Sequence, residues 1–434
     1  MKEDIMTTTF KTIDDQTLNQ FVFNHPKEHF MQTAHWGKIK SMQGAWSYTC
    51  VGLYEENQLT AAAMLLLRKI PVFGSKICYA PRGFMIDYND MNLVKTFTEQ
   101  LVKWAKKQNI CYIMCDPDVY YCAKDKNGNI IEEHPDFVKE MEKLGYVHQG
   151  FNQAFEKTQP RYTYRLDLTR PETEITSGFS KIIRTQMKNT QEYGIECEIA
   201  DNIDLFYEIL SDTAARNHFL ESPKKYYQDI YDLLKKDDMA RCYTAKYYPE
   251  RHLEYLNNKL NELNKEDEQL IEKLKEYPNQ KVSLNRRNQI ATQTEKLKKT
   301  IIKTEEMKAE YPDGVVLSSG ITICTAHRAW LVYGGNRTIL REAGANYAIK
   351  QFEIFDDKER GYEFVDFFGT CSDECTDPAY TGIHDFKKKF GSTYIEFPGE
   401  FHYVLKPLMY QLWINLYPWA LKTLRKLKNK ARKK

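Results

Sequence analysis

Residues 252–307 read HLEYLNNKLNELNKEDEQLIEKLKEYPNQKVSLNRRNQIATQTEKLKKTIIKTEEM, and their spacing decides how the rest of the chain is divided. Leu253, Leu256, Leu260, Leu263, Leu270 and Leu274 recur at the three- and four-residue intervals of a coiled-coil seam, and Asp267 interrupts one position. Pro278-Asn279 breaks the run, after which Leu284, Ile290, Leu297, Ile301 and Met307 line a second helix. The spacing predicts an antiparallel helical arm over 250–311, with two limbs of about 26 residues, roughly 40 Å each at 1.5 Å per residue. The first limb is acid-rich (Glu262, Glu266, Asp267, Glu268, Glu272, Glu276) and the second basic (Lys281, Arg286, Arg287, Lys296, Lys298, Lys299, Lys303). Attraction between the limbs accounts for this asymmetry; a lever that touches a polyanion is the functional alternative.

Working outward, the N-terminal side reads as helix over Asp15–Asn24, strands over Tyr48–Tyr54, Ala61–Ile70 and Lys76–Tyr79, and helix over Leu93–Lys107. Ile110–Cys115 reads as a buried strand that runs into Asp116-Pro117. On the C-terminal side, Tyr162–Leu168 is strand-like, and helices are predicted near Ser180–Glu192 and Ile203–Ala215. Val315–Thr325 and Ala329–Tyr333 form a hairpin pattern. Helix over Glu342–Lys358, strand over Phe364–Phe368 and a helix beginning at Asp385–Phe390 complete the series. Strands and helices in mixed order predict an α/β (α+β) chain whose two halves share an order of elements.

Composition narrows the function classes. A chain of 434 residues with 42% apolar residues builds substantial cores in more than one unit. The formal charge of +2 excludes an overall basic nucleic-acid coat, so local patches must carry any anionic partner. Met1–Phe23 has no apolar h-region, and the longest apolar run, Ala61–Leu67, is far shorter than the roughly 20 residues of a spanning helix. A cytoplasmic, unexported protein with reduced thiols is the expectation. Cys111/Cys115 and Cys371/Cys375 are spaced as CxxxC rather than as zinc knuckles, so no metal is expected; Cys371, Cys375 and His384 would be the set if one bound.

Several segments together resemble the Fem family of peptidoglycan aminoacyltransferases. His29-Phe-Met-Gln-Thr-Ala-His-Trp36 followed by Lys40, then Tyr79-Ala-Pro-Arg-Gly-Phe-Met-Ile-Asp87-Tyr, then Ile113-Met-Cys-Asp-Pro117 match its opening half. Tyr333-Gly-Gly, Gly344-Ala-Asn-Tyr-Ala-Ile and Gly382-Ile-His-Asp-Phe-Lys-Lys-Lys-Phe390 match its second half, in the family's order over about residues 10–405. The resemblance implies two GNAT-like acyltransferase domains, 1–160 and 161–249 with 312–405, the arm 250–311 inserted in the second, and a tail 406–434. It also implies transfer of glycine, alanine or serine from aminoacyl-tRNA to the stem-peptide amine of lipid II or its UDP-linked precursor, with no cofactor. A coenzyme A-dependent N-acyltransferase and a non-catalytic scaffold remain alternatives.

Site candidates follow. A helix would place Trp36 and Lys40 on one face, and the resemblance gives Lys40 the precursor phosphate. Arg216, or alternatively Arg184 on the basic helix, is the second phosphate-binding candidate. Asp116, at a strand end, could orient or deprotonate the incoming amine; a turn-capping aspartate is the alternative. Lys387 could meet the tRNA end or the developing oxyanion, or belong with Lys388 and Lys389 to a solvated run. Arg341-Glu-Ala-Gly344-Ala-Asn346 approximates the coenzyme A pyrophosphate loop of GNAT enzymes and reads as a remnant of the fold. After Pro407, Tyr410, Trp413, Tyr417 and Trp419 precede Lys422, Arg425, Lys426, Lys428, Lys430, Arg432, Lys433 and Lys434 without an acid. That tail suits peripheral contact with the inner membrane face, or with RNA.

Overall fold

The computed structural model describes residues 8–71, 74–217 and 219–416 and contains two mixed sheets. The first has seven strands in the order Thr8–Ile13, Ser47–Glu55, Gln58–Lys69, Lys76–Ala80, Ile110–Cys115, Phe401–Val404 and Tyr146–His148. Its one parallel pair, Lys76–Ala80 with Ile110–Cys115, is joined by the crossover helix Met91–Lys107. Asp90 caps that helix by accepting from the amides of Asn92 and Leu93.

The second sheet has nine strands and repeats the plan. An antiparallel meander (Ile195–Ala200, Ala240–Tyr247, Val315–Cys324, Arg328–Asn336) is followed by the helix Ala345–Glu359 and by Phe364–Asp366, parallel to Arg328–Asn336. Tyr162–Asp167, Thr393–Glu396, Cys122–Lys124 and Ile130–Glu133 complete it.

The run Ala61–Leu66 explains how the units join. Ala61, Ala63 and Leu65 face the helix Met91–Lys107, whereas Ala62, Met64 and Leu66 enter a core shared with Phe206, Ile230, Ile321 and Trp330 of the second unit. A strand buried on both faces needs this continuous apolar sequence. The turn between Val315–Cys324 and Arg328–Asn336 also docks on the first unit, since the Glu28 carboxylate accepts from the amides of Ala326 (3.2 Å) and His327 (2.6 Å).

The arm consists of helices Pro249–Glu276 and Lys281–Glu310. Their antiparallel sense follows from the pairs between them: Glu250 with Lys308, His252 with Thr304, Glu266 with Arg286 and Asp267 with Arg287. Leu256, Leu263 and Ile290 are buried in the seam. Asp267, which interrupts the leucine pattern, is the residue that meets Arg287 at 2.8 Å. Such half-exposed pairs contribute about 0–1 kcal/mol each.

Two expectations change. The sheets do not divide at residue 160: Cys122–Lys124 and Ile130–Glu133 extend the second sheet, and Phe401–Val404 returns to fill the first. Pairing between strands almost 290 residues apart, as in Phe401 with Cys115, leaves no trace in local periodicity. The helix placed at Asp385 begins instead at Pro378, where the Asp377 side chain caps it and proline occupies the first turn, and it ends at Lys388. Near the C-terminus, Tyr410 is buried and bonded to His402 at 2.8 Å, so this aromatic is core. Tyr417, Trp419 and the basic residues from Lys422 onward lie outside the described residues. Among the described residues no helix is long and apolar enough to cross a membrane.

A buried ion triad ties the sheets together. Arg165, on Tyr162–Asp167, donates from Nε to Asp366 at 2.7 Å and from Nη2 to Asp118 at 2.6 Å. Burial opposes ionisation of Asp118, but the Arg165 charge holds its carboxyl well below the usual range. Arg165→Met leaves two carboxylates without their cation, so denaturant unfolding should show a loss of about 3–5 kcal/mol; a loss below about 1 kcal/mol would show that the triad does not hold the units.

Candidate active site

The wall contributed by the first unit starts at Thr33, whose hydroxyl accepts from the Trp36 amide and begins the helix Ala34–Met42. One turn apart, Trp36 and Lys40 share a face as the spacing requires. Trp36 is buried, edge-on to Phe30 at 5.1 Å. The Lys40 ammonium lies 4.6 Å from the Trp36 ring centre and 5.1 Å from that of Tyr226, and it donates to the Tyr226 hydroxyl at 3.3 Å. Tyr226 in turn meets Tyr333 at 3.2 Å, hydroxyl to hydroxyl. These side chains, with Tyr79 and Phe368, enclose a cavity of about 310 Å³ built from both units. A cation held by aromatic faces keeps its charge available to an entering anion.

Asp116 stands directly behind that cavity. The all-buried strand Ile110–Cys115 delivers it; its Oδ2 accepts from the Tyr79 hydroxyl at 2.7 Å and its Oδ1 from the Arg82 amide at 2.5 Å. The amide is aimed by a left-handed turn, Arg82 at φ 60° and Gly83 at φ 84°. A Cβ on Gly83 would stand 2.8 Å from the Pro117 Cα, so only glycine fits beside the Asp-Pro step. Burial raises the Asp116 carboxyl to about 7, although the Arg82 charge and the two hydrogen bonds pull it down. Tyr79 therefore connects the cavity to a carboxylate that exchanges a proton near neutrality.

Lys387 takes a different place from the one expected. It is buried on the helix Pro378–Lys388 and donates to the carbonyls of Phe368 and Gly369, the latter at 2.5 Å. Both residues are left-handed, at φ 51° and 47°, and the Phe368 amide donates to Asp366 at 2.7 Å. Lys387 thus stands behind a strained turn that sets the Phe368 ring on the cavity wall.

Arg184 and Arg216 do not join Lys40. Arg184 donates to the carbonyls of Ser177 and Phe179 at 2.9 and 3.0 Å, closing the turn before its own helix. Arg216 lines a second cavity of about 360 Å³ with Arg337 and Arg341. The reason is the seating of helix Asp204–Asn217: the Asn336 amide donates to the Thr213 hydroxyl at 3.0 Å, which carries Arg216 to the far end of the strand Arg328–Asn336. Among the described residues no group of three or more His, Cys, Asp or Glu side chains is placed to hold a metal. His384 instead meets the Tyr164 hydroxyl, Asp373 and the Cys371 carbonyl, each at 3.1 Å.

Sequence reading left Tyr79, Arg82, Tyr226, Tyr333 and Phe368 without roles. Tyr79, Arg82 and Tyr333 fall inside the quoted motifs and could have been singled out there; Tyr226 carries no local signal.

Burial lowers the Lys387 amine to about 7. A group whose folded pKa lies below its unfolded value of about 10.4 binds fewer protons when folded, so its contribution grows as pH rises between the two. The stability of the wild type relative to Lys387→Met should therefore increase from pH 7 to pH 10 in urea titrations; a pH-independent difference would contradict the burial of the amine.

The FemAB family model matches residues 13–417. Proteins named "Lipid II:glycine glycyltransferase" from Staphylococcus haemolyticus (strain JCSC1435) and Staphylococcus saprophyticus subsp. saprophyticus are 28% and 27% identical, each over 97% of this chain and 99% of their own. A solved structure titled "Crystal structure of FemX" superposes with a TM-score of 0.77 at 26% identity, covering 93% of this chain and 99% of that one. That match spans nearly the whole chain, and the chain belongs to the FemAB family.

Proposed function

We propose that this protein is an aminoacyltransferase that moves glycine from glycyl-tRNA to the stem-peptide amine of lipid II, extending the peptidoglycan cross-bridge. The observation that carries this reading is the continuity from the Lys40 cavity through the Tyr79 hydroxyl to Asp116. The named activity of the relatives supplies the substrate class.

The aminoacyl ester is already activated, so the protein has to align amine and ester and to accept a proton. Alignment lowers the barrier by about 7–11 kcal/mol in ideal cases. A lysine-like amine of pKa about 10.4 is charged near pH 7, and making it neutral costs about 4.6 kcal/mol. In the proposed step the amine nitrogen attacks the ester carbonyl, forming the peptide C–N bond. The ester C–O bond breaks and the ribose hydroxyl of the tRNA leaves. One proton of the charged amine passes through the Tyr79 hydroxyl to Asp116, the second goes from the attacking nitrogen to the departing ribose oxygen, and Lys40 neutralises the acceptor's phosphate.

The direct experiment mixes the protein with lipid II and tRNA charged with labelled glycine, alanine or serine. Glycine should enter the lipid fraction, and Lys40→Ala should raise the KM for lipid II about 10- to 100-fold, the equivalent of one charge-assisted contact of roughly 1.5–3 kcal/mol. Absence of transfer from all three tRNAs by folded protein would overturn the reading.

Peripheral membrane contact belongs to the same proposal, because lipid II resides in a bilayer. Leu408 and Leu412 are 85% and 41% exposed one helical turn apart, and the sequence beyond them turns basic from Lys422. Each cation near an anionic surface contributes about 1 kcal/mol. Removal of residues 422–434 should reduce co-sedimentation with anionic vesicles at low salt; unchanged sedimentation would remove the tail from the account.

A further inference from the structure

We infer that the proton taken up by Asp116 leaves on the side away from the Lys40 cavity, through one water to Glu400, and that His402 is the positioning residue of this outlet. The inference rests on the transfer reaction proposed above. Strand pairing brings the two carboxylates together: Phe401 pairs with Cys115 in antiparallel register, so the next position outward sets Glu400 opposite Asp116. Residues directly opposite in such a ladder hold their Cβ atoms about 4.5–5.5 Å apart, and like charges there are destabilising. Both acids are buried.

A cavity of about 10 Å³, room for one water, lies against both carboxylates. Arg82, Asn152, Lys157 and Gln159 also line it, so a water there meets donors as well as acceptors. Glu400 Oε2 is buried without a hydrogen-bond partner. Its Oε1 is taken, because His402 Nε2 stands at 3.1 Å while His402 Nδ1 lies 2.8 Å from the Tyr410 hydroxyl. The tyrosine hydroxyl donates to Nδ1, which leaves the Nε2–H to donate to Glu400. With one oxygen held by His402, Oε2 is the oxygen left for the cavity.

Gln159 lines this cavity and that of Lys40, and so stands between them, while Tyr79 reaches Asp116 from the Lys40 side. The protonated Asp116 gives its proton to the water, one of the water's own protons passes to Glu400 Oε2, and Asp116 is again a carboxylate. Glu400 then releases the proton to solvent beside Lys157, which is exposed. Tyr79, Arg82, Tyr88 and Cys115 are the other titratable or charged groups that face Asp116. Lys157, Arg161 and Tyr112 stand around Glu400. Burial opposes ionisation of Glu400, but the bond to His402, with smaller help from Thr158 and Lys157, holds its carboxyl below the ordinary range. After burial, that negative charge is a further cause that raises Asp116.

The test uses the full chain with Glu400→Gln, Glu400→Asp and His402→Gln. Glycine transfer to lipid II is followed across pH, and the Asp116 midpoint is read from the infrared carboxyl signal that Asp116→Asn removes. Glu400→Gln takes away the anion opposite Asp116, so the midpoint and the acid limb of kcat should both move to lower pH. Above that limb kcat should fall about 10-fold with both KM values unchanged. Glu400→Asp keeps the charge and should keep the midpoint. His402→Gln should lower kcat and raise its solvent deuterium isotope effect. An unchanged kcat in Glu400→Gln would overturn the outlet whether or not the midpoint moves. A loss of kcat with the midpoint unmoved would assign Glu400 to packing and overturn it too. A wild type that transfers no amino acid from any charged tRNA would overturn the transfer reading and the outlet with it.

Discussion

A guanidinium buried between two carboxylates holds this molecule in register. Asp118 follows the last parallel strand of the first sheet, Arg165 and Asp366 lie in the second, and the bonds of 2.6 and 2.7 Å between them join the units at the depth of the cleft. Charges so placed require one another, because removal of any one strands the rest in a medium that solvates them poorly. The triad reaches the site from both sides. Asp118 is two residues from Asp116, and Asp366 accepts from the Phe368 amide in the turn that Lys387 supports from behind. One electrostatic constraint therefore fixes the position of Asp116 and of the turn that carries Phe368.

The site divides labour between groups that touch the cavity and groups that place them. Lys40 and the tyrosines at 79, 226 and 333 face the enclosed volume. Arg82, Gly83, Asp366 and Lys387 act through backbone contacts, in turns where left-handed residues hold a geometry that ordinary loops do not keep.

Much of the fold was legible because it is locally encoded. The leucine spacing of residues 253–274, the proline break at 278 and the apolar face of the helix Met91–Lys107 each stand out within one short window. The exchanged strands were not, since Phe401–Val404 pairs with residues far away in the chain and has no periodicity of its own. At the site, Trp36, Lys40 and Asp116 were readable from motif and spacing, and the structure brings them to one cleft through Tyr79. A motif gives residue type without direction, so nothing in it told that Arg216 lines the second cavity rather than that of Lys40; the Thr213–Asn336 contact turns that helix end there. Lys387 was read as a surface or substrate-facing cation because nothing in Phe-Lys-Lys-Lys distinguishes the one lysine that enters the core. Tyr226 was missed because its partners, Lys40 and Tyr333, lie over a hundred residues away.

The account depends most on a buried aspartate whose carboxyl is raised by burial to about 7. Its direct test is the ionisation of Asp116, followed by difference infrared spectroscopy of the carboxyl stretch between the wild type and Asp116→Asn across pH 4 to 9. The structure predicts a neutral carboxyl at low pH that ionises at about 7. A carboxylate already ionised at pH 4.5, as for an exposed aspartate of pKa about 3.9, would contradict the assignment of Asp116 as proton acceptor.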